Sequence, residues 1–137
     1  MKIRLLAAAL FAATLSATAV AEPVTYTIDP THTQIKFTYS HFGYSTITGR
    51  FDATEGTVTY DAENPSASSV EITTQIASVS TGVAKLDEHL QQDDFFDAAT
   101  YPTATFKSTK VEAAGDGKLN LTGDLTIKDV TLPASFE

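Results

Sequence analysis

Alternation is what most limits the folds open to this chain. Between residues 25 and 38 apolar and polar side chains trade places. Ile35, Phe37 and Tyr39 fall on one side, and Lys36, Thr38 and Ser40 on the other. Successive side chains of a strand point to opposite faces, so the run reads as a half-buried strand. The same period of two returns in Val58 and Tyr60, in Val70, Ile72, Thr74 and Ile76, and in Leu119, Leu121, Leu125 and Ile127. Turn residues separate these runs. Asp29-Pro30-Thr31-His32 precedes the first, Gly43 and Gly49 punctuate residues 44–52, and Gly56 opens 57–61. Asn64-Pro65 lies in a polar loop over 62–69, and Gly115-Asp116-Gly117 leads into 118–128. Short alternating strands, hairpin turns, abundant threonine and almost no helix imply an antiparallel sheet that curls into a barrel or a sandwich. Roughly six strands can be counted, with residues 134–137 starting another, which is short of the eight of a small closed barrel.

One stretch breaks the alternation. In residues 81–109, Val83, Leu86 and Leu90 recur at helical spacing, which predicts a short helix over about 82–91. Gln91-Gln92-Asp93-Asp94 ends it in polar side chains. Phe95-Phe96 then places two large apolar groups in an acidic turn, where a cavity mouth or a core edge must bury them. Tyr101-Pro102 forces an extended entry into the strand over 103–111, because the residue before a proline avoids the helical region.

The N-terminus has a different character. Lys2 and Arg4 precede an apolar run, and Ala19-Val20-Ala21 fits a small-x-small cleavage site, so residues 1–21 read as a signal peptide and 22–137 as one mature domain. The run is too short and too alanine-rich for a good membrane span. The chain has no cysteine, which excludes disulfides, thiolate chemistry and a lipoprotein thiol. Loss of Lys2 and Arg4 leaves seven basic against seventeen acidic residues, a net charge of −10. That argues against nucleic acid, which needs a basic footprint, and against docking by charge on anionic lipid.

Few residues suggest catalysis. His32, His41 and His89 stand apart in sequence, and zinc would need ligands gathered from distant strands. Turn or strand histidines with hydrogen-bond partners are the simpler reading, with His32 capping the turn at Asp29. His41 shares the parity of Phe37 and Tyr39, which makes it the candidate for contact with a ligand head group. Asp93, Asp94 and Asp97 lack the glycine and bidentate glutamate of a calcium loop and read as a solvated helix end. No serine lies between two glycines of a nucleophile elbow, and Ser40 and His41 are strand neighbours that point opposite ways. No phosphate loop or dinucleotide motif is present. The reading is a non-enzyme without cofactor or metal; a hydrolase or isomerase working through His41 or His89 is the competing one. The larger constellation is apolar: Phe37, Tyr39, Phe42, Tyr44, Phe51, Val58, Tyr60, Leu86, Leu90, Phe95, Phe96 and Phe106. These either fill a core or, in part, line a lumen.

Three separated segments carry a family resemblance: YTIDPTHTQIKFTYSHFGYSTITGRFD, DEHLQQDDFFDAATYPTATFKST and GDLTIKDVTLP. In order and spacing they resemble the YceI-like family of periplasmic, lipocalin-like isoprenoid-binding proteins. The resemblance runs from Tyr26 to Pro133. It implies an all-β, antiparallel lipocalin-like β-barrel with one short helical insert and an elongated apolar pocket. It also implies that this chain lacks the last strands such proteins usually carry. The expected ligand is a long-chain lipid, an isoprenoid such as a quinone tail or a polyprenyl phosphate. Its expected contacts are Phe37, Tyr39, His41, Phe42, Tyr44, Val58, Tyr60, Leu86, Leu90, Phe95, Phe96 and Phe106. Only Lys36, Arg50, Lys85 and Lys107 are basic near these positions, which leans toward an uncharged head group. The expected location is the periplasm, with cleavage after Ala21, no stable membrane insertion, and a homodimer left open. The alternative is an interaction module that takes a partner on a sheet edge or on its acidic surface.

Overall fold

The computed structural model describes residues 22–136, so the signal peptide expected over 1–21 lies outside the described residues. Among them are nine strands and one short α-helix: β1 (Val24–Thr27), β2 (Ile35–His41), β3 (Ser45–Phe51), β4 (Thr54–Tyr60), β5 (Ser69–Gln75), β6 (Val79–Ser80), α1 (Ala84–Leu90), β7 (Thr103–Gly115), β8 (Lys118–Ile127) and β9 (Val130–Phe136). Every pairing is antiparallel. One sheet has six strands in the order β1-β4-β5-β7-β8-β9, and the other has three in the order β2-β3-β6.

Two bent hairpin arms join the sheets. The chain leaves the small sheet at Phe51 and enters the large one at Thr54, while its neighbour leaves β5 at Gln75 and reaches β6 through a single 3-10 turn, Ile76–Ser78. Ser78 fastens this corner. Its hydroxyl donates to the Gln75 carbonyl at 2.6 Å and accepts from the Ala53 amide at 3.0 Å, and its carbonyl accepts from the Asp52 amide at 3.2 Å. The bend therefore keeps its backbone groups paired where the regular ladder is interrupted.

Register decides which face is inner. Thr54, Gly56 and Val58 oppose Thr74, Ile72 and Val70, and Ile72 and Thr74 in turn oppose Phe106 and Ala104. Phe106 opposes Leu125, which opposes Leu132. In the small sheet Ile35, Phe37 and Tyr39 oppose Phe51, Gly49 and Ile47. The main core lies between the sheets, where Phe51, Ile76, Val79 and Leu90 are buried and Phe37, Leu86, Phe96, Ala98 and Ala104 pack around them. Gly49 is needed here: a Cβ at this position would collide with the Phe37 ring, which lies over it from the neighbouring strand.

Several expectations need adjustment. The alternation across 25–38 is two strands in two sheets: the turn held by Asp29 falls inside it, and the inner positions switch from even in β1 (Val24, Tyr26) to odd in β2 (Ile35, Phe37). Ile76 leaves strand geometry for the 3-10 turn, and it is nearly inaccessible there, 2% exposed, because it fills the corner. The helix runs Ala84–Leu90, two residues shorter than expected at its start and one at its end. Gly82 takes a left-handed φ of 82°, Val83 is extended, and Asp87 ties back to Thr81. β7 extends to Gly115 through register shifts after Ser108 and Ala113. β9 was expected only from residue 134, since β8 and β9 are joined by Lys128-Asp129 alone, too short a turn to stand out. The six strands counted from the alternation become nine: the first run divides in two, the two-residue β6 follows the 3-10 turn, and β9 starts at Val130. The fold is mostly β with one short helix, and its ladders do not run from one sheet into the other among the described residues.

Candidate functional site: an apolar groove between the sheets

The helix and the loop after it build the site. α1 is anchored at its start by Asp87, whose Oδ1 accepts from the Thr81 amide at 2.7 Å and the Thr81 hydroxyl at 2.6 Å. After Leu90 the chain folds back on itself. The Phe96 amide donates to the Leu90 carbonyl at 3.0 Å, and the Asp97 amide to the Gln92 carbonyl at 2.8 Å, with Asp97 at a left-handed φ of 51°. Tyr101 closes a second turn onto the Asp97 carbonyl, and the Pro102 carbonyl accepts from Ile76, which locks the loop to the corner.

This loop swings the two adjacent phenylalanines to different tasks. Phe96 turns inward and stacks edge-on against Phe51 and Phe37, with ring centroids 5.5 and 6.4 Å apart. Phe95 stays half exposed against His89 at 4.8 Å. Together with Tyr39, Leu90, Ile127 and Lys128 they line a groove of about 370 Å³. Its size falls in the range of small-molecule sites, and its walls are almost wholly hydrocarbon apart from Lys128. Such a surface supplies no directed polar contact, so it discriminates by length and girth of an apolar group.

Lys128 is the residue that sequence reasoning missed. It occupies the first position of the β8–β9 turn with a left-handed φ of 58°, and its ammonium donates to the carbonyls of Asp93 at 3.1 Å and Phe95 at 2.8 Å. It also lies 6.0 Å from the centre of the Tyr101 ring. The available signal was the position of a lysine inside GDLTIKDVTLP, at a site where the backbone favours glycine or asparagine. Of the cations expected near the pocket, Arg50 is paired with Asp52 at 2.6 Å and Lys107 with Glu71 at 2.7 Å on the outer face. The hydrogen bond that Lys107 donates to Glu71, and then the Glu71 charge, raise the Lys107 pKa.

The other expected contacts spread out. Phe37, Tyr39, Leu90, Phe95 and Phe96 do meet in the groove, and Leu86 packs on the core beside it. Val58 and Phe106 lie on the inner face of the large sheet. Phe106 is buried there, with its ring 5.0 Å from that of Phe136. Tyr60 sits opposite Val24 toward the β1 edge, half exposed. His41, Phe42 and Tyr44 stand at the tip of the β2–β3 hairpin, away from the groove lining, with Phe42 82% and Tyr44 94% exposed. His32 does cap its turn: its Nδ1 is 2.8 Å from Asp29 Oδ2. The Thr31 hydroxyl, and after it His32, hold the Asp29 carboxyl below its usual range. His89 lies 3.1 Å from Asp94 Oδ2 at the solvated helix end. Among the described residues no group of three or more His, Asp or Glu side chains is placed to hold a metal ion. No helix among them is long and apolar enough to cross a membrane.

The inner face continues beyond the groove and stays open at both edges of the large sheet. Val130, Leu132 and Phe136 on β9, and Val24 and Tyr26 on β1, point to the inner side and are about half exposed.

Comparison with known proteins places this architecture. The YceI-like domain matches residues 26–137. A UPF0312 protein of Vibrio parahaemolyticus is 43% identical over 119 residues, covering 85% of this chain and 63% of its own length. The crystal structure of BcnA from Burkholderia cenocepacia superposes with a TM-score of 0.68 at 30% identity, covering 74% of this chain and 64% of that one. That of the YceI protein of Campylobacter jejuni gives 0.63 at 36%, covering 80% and 64%. The chain therefore spans a little under two thirds of the length of these three relatives.

Proposed function

This chain belongs to the YceI-like family, and we propose that it is an exported carrier that buries a long isoprenoid chain inside a lipocalin-like barrel. The observation that carries the reading is the groove of Phe37, Tyr39, Leu90, Phe95, Phe96 and Ile127, whose lining offers hydrocarbon and aromatic faces. Its location is the periplasm, reached through the segment expected to be cleaved after Ala21. The mechanism is reversible burial: the chain leaves water or membrane, lies against Phe37 and Phe96, and is released without covalent change. Quinone tails and polyprenyl phosphates are the ligand classes.

Burying a methylene is worth about 0.8 kcal/mol. Micromolar binding needs about 8 kcal/mol net, and association costs at least about 4. Roughly fifteen buried carbons, about three isoprene units, reach that level. Affinity then follows tail length, and the head contributes little. The one cation in the groove lining, Lys128, already donates to the carbonyls of Asp93 and Phe95, which keeps the preference for an uncharged head.

A series of isoprenoid alcohols of increasing length, titrated against delipidated protein, tests the reading. Each added carbon should tighten binding by up to about fourfold until the groove and the inner face are filled. Affinity independent of length would sink it. A second reading draws on the half-exposed inner rows at β1 and β9: a partner strand added to either edge would cover them. Failure of every long chain to bind, with a saturable extended peptide ligand, would favour that reading instead.

A further inference from the structure

The two most exposed large apolar side chains in the described protein are not on an open sheet edge. They are Phe42 and Tyr44, side by side at the tip of the β2–β3 hairpin. The tip is a tight turn closed by the Tyr44 amide on the His41 carbonyl at 3.1 Å, with Phe42 and Gly43 both left-handed at φ of 52° and 77°. Two successive left-handed residues closed in this way follow the pattern of a type I′ turn, whose first central position suits asparagine or glycine. A phenylalanine there is strained and unburied, so neither local backbone preference nor packing explains it. The Gly43 amide donates to the Ser40 hydroxyl at 3.1 Å, and the His41 ring meets Phe42 edge-on at 4.6 Å, so the aromatic tip is held in one arrangement.

Charge gives a second, independent observation. Residues 37–49 contain no Asp, Glu, Lys or Arg, in a chain with seventeen acidic residues. β6 pairs only with Arg50 and Phe51, so the outer half of the hairpin extends past the rest of its sheet as an uncharged arm. A third is continuity. Tyr39 and Phe37 share the inner face of β2 with His41, their rings are 6.5 Å apart, and both line the groove. An aromatic track thus runs about 13 Å from the tip to the site.

We propose that the β2–β3 tip is a membrane-docking finger, which seats Phe42 and Tyr44 in the interface of a weakly charged lipid bilayer. Aromatic side chains with a polar atom or neighbour favour that layer, and the absence of charge on the arm removes the cost of bringing an acidic protein to it. The choice of a bilayer over a protein partner rests on the carrier reading, since a long apolar chain is drawn from a membrane.

The protein has no tryptophan, so one introduced residue reports alone. The probe is vesicles of phosphatidylcholine with brominated acyl chains. Phe42→Trp should shift its emission to the blue and be quenched on adding vesicles, at low and high salt alike. Thr57→Trp, exposed on the outer face of β4, should respond little. Phe42→Asn combined with Tyr44→Ser suits the turn and should fold at least as stably, yet sediment with vesicles about tenfold less. An unresponsive Phe42→Trp, or quenching as strong at Thr57→Trp, overturns the proposal. Uptake of a fluorescent isoprenoid by the unaltered protein without vesicles is read separately. Vesicle docking without uptake upholds the finger and removes the carrier, and uptake without docking does the reverse.

Discussion

Replacing Lys128 tests how the groove is held open. Its ammonium bridges the β8–β9 turn to the loop that carries Phe95 and Phe96, through two hydrogen bonds to carbonyls. Charged donors make bonds of about 1.5–3 kcal/mol when shielded, but these lie at a partly buried side chain still open to water, so about 1–2 kcal/mol for the pair is the reasonable sum. Against this stands the left-handed backbone of Lys128, which costs about 1 kcal/mol and which glycine would relieve. Lys128→Met should therefore lose about 1–2 kcal/mol of loop anchoring, while Lys128→Gly should leave global stability within about 1 kcal/mol of the unaltered protein. Both should free the loop. Hydrogen exchange measured by NMR reads this directly, at the amides of Phe96, Asp97 and Tyr101, whose acceptors all lie within residues 90–97. Their protection should fall about 5–30-fold in both variants, with Val58 in β4 as an unaffected control. Unchanged exchange at those three amides in both variants would refute the reasoning, because it would mean that the two hydrogen bonds do not restrain the loop.

Three further outcomes follow from the same contacts. Phe51→Ala removes a buried ring that touches Phe37 and Phe96, and should cost about 3–5 kcal/mol in urea unfolding; a loss under 1 kcal/mol would contradict its place in the core. Gly49→Ala should push the Phe37 ring outward, cost about 1 kcal/mol or more, and weaken binding of any chain in the groove, read by calorimetry with one long-chain alcohol. Asp29 has a lowered pKa, so its contribution to stability is complete above the ordinary carboxylate range and is lost as pH falls through the lowered value. In Thr31→Ala the Asp29 carboxyl should titrate at higher pH by NMR, and an identical midpoint would show that the Thr31 hydroxyl is not the main cause.

The parts of this molecule that repeat locally were legible in its residues, and the parts set by distant contacts were not. Val70-Ile72-Thr74 and Leu119-Leu121-Leu125 announce strands because burial of one face imposes a period of two. Phe95-Phe96 could be placed at a core edge for a related reason: two aromatic rings in an acidic loop must find cover. Which ring turns inward depends on the Asp97 left-handed turn and on Lys128, 33 residues beyond Phe95, and no local pattern carries that. The division of the first alternating run between two sheets was hidden because a period of two holds on both sides of the Asp29 turn, and only the parity of the inner positions changes across it. The same holds for His41. Parity placed it on the inner face with Phe37, correctly, but register places it at the hairpin tip, where that face has no opposite wall.

The central claim is that the protein carries a long apolar chain, and the most direct test is to look for one. The protein, expressed with its N-terminal segment into a periplasm, would be purified without detergent, extracted with organic solvent and analysed by mass spectrometry. The account predicts a near-stoichiometric isoprenoid or comparable long-chain species, lost when Phe96→Asp places a charge in the groove. A folded, intact protein that yields no lipid would contradict it.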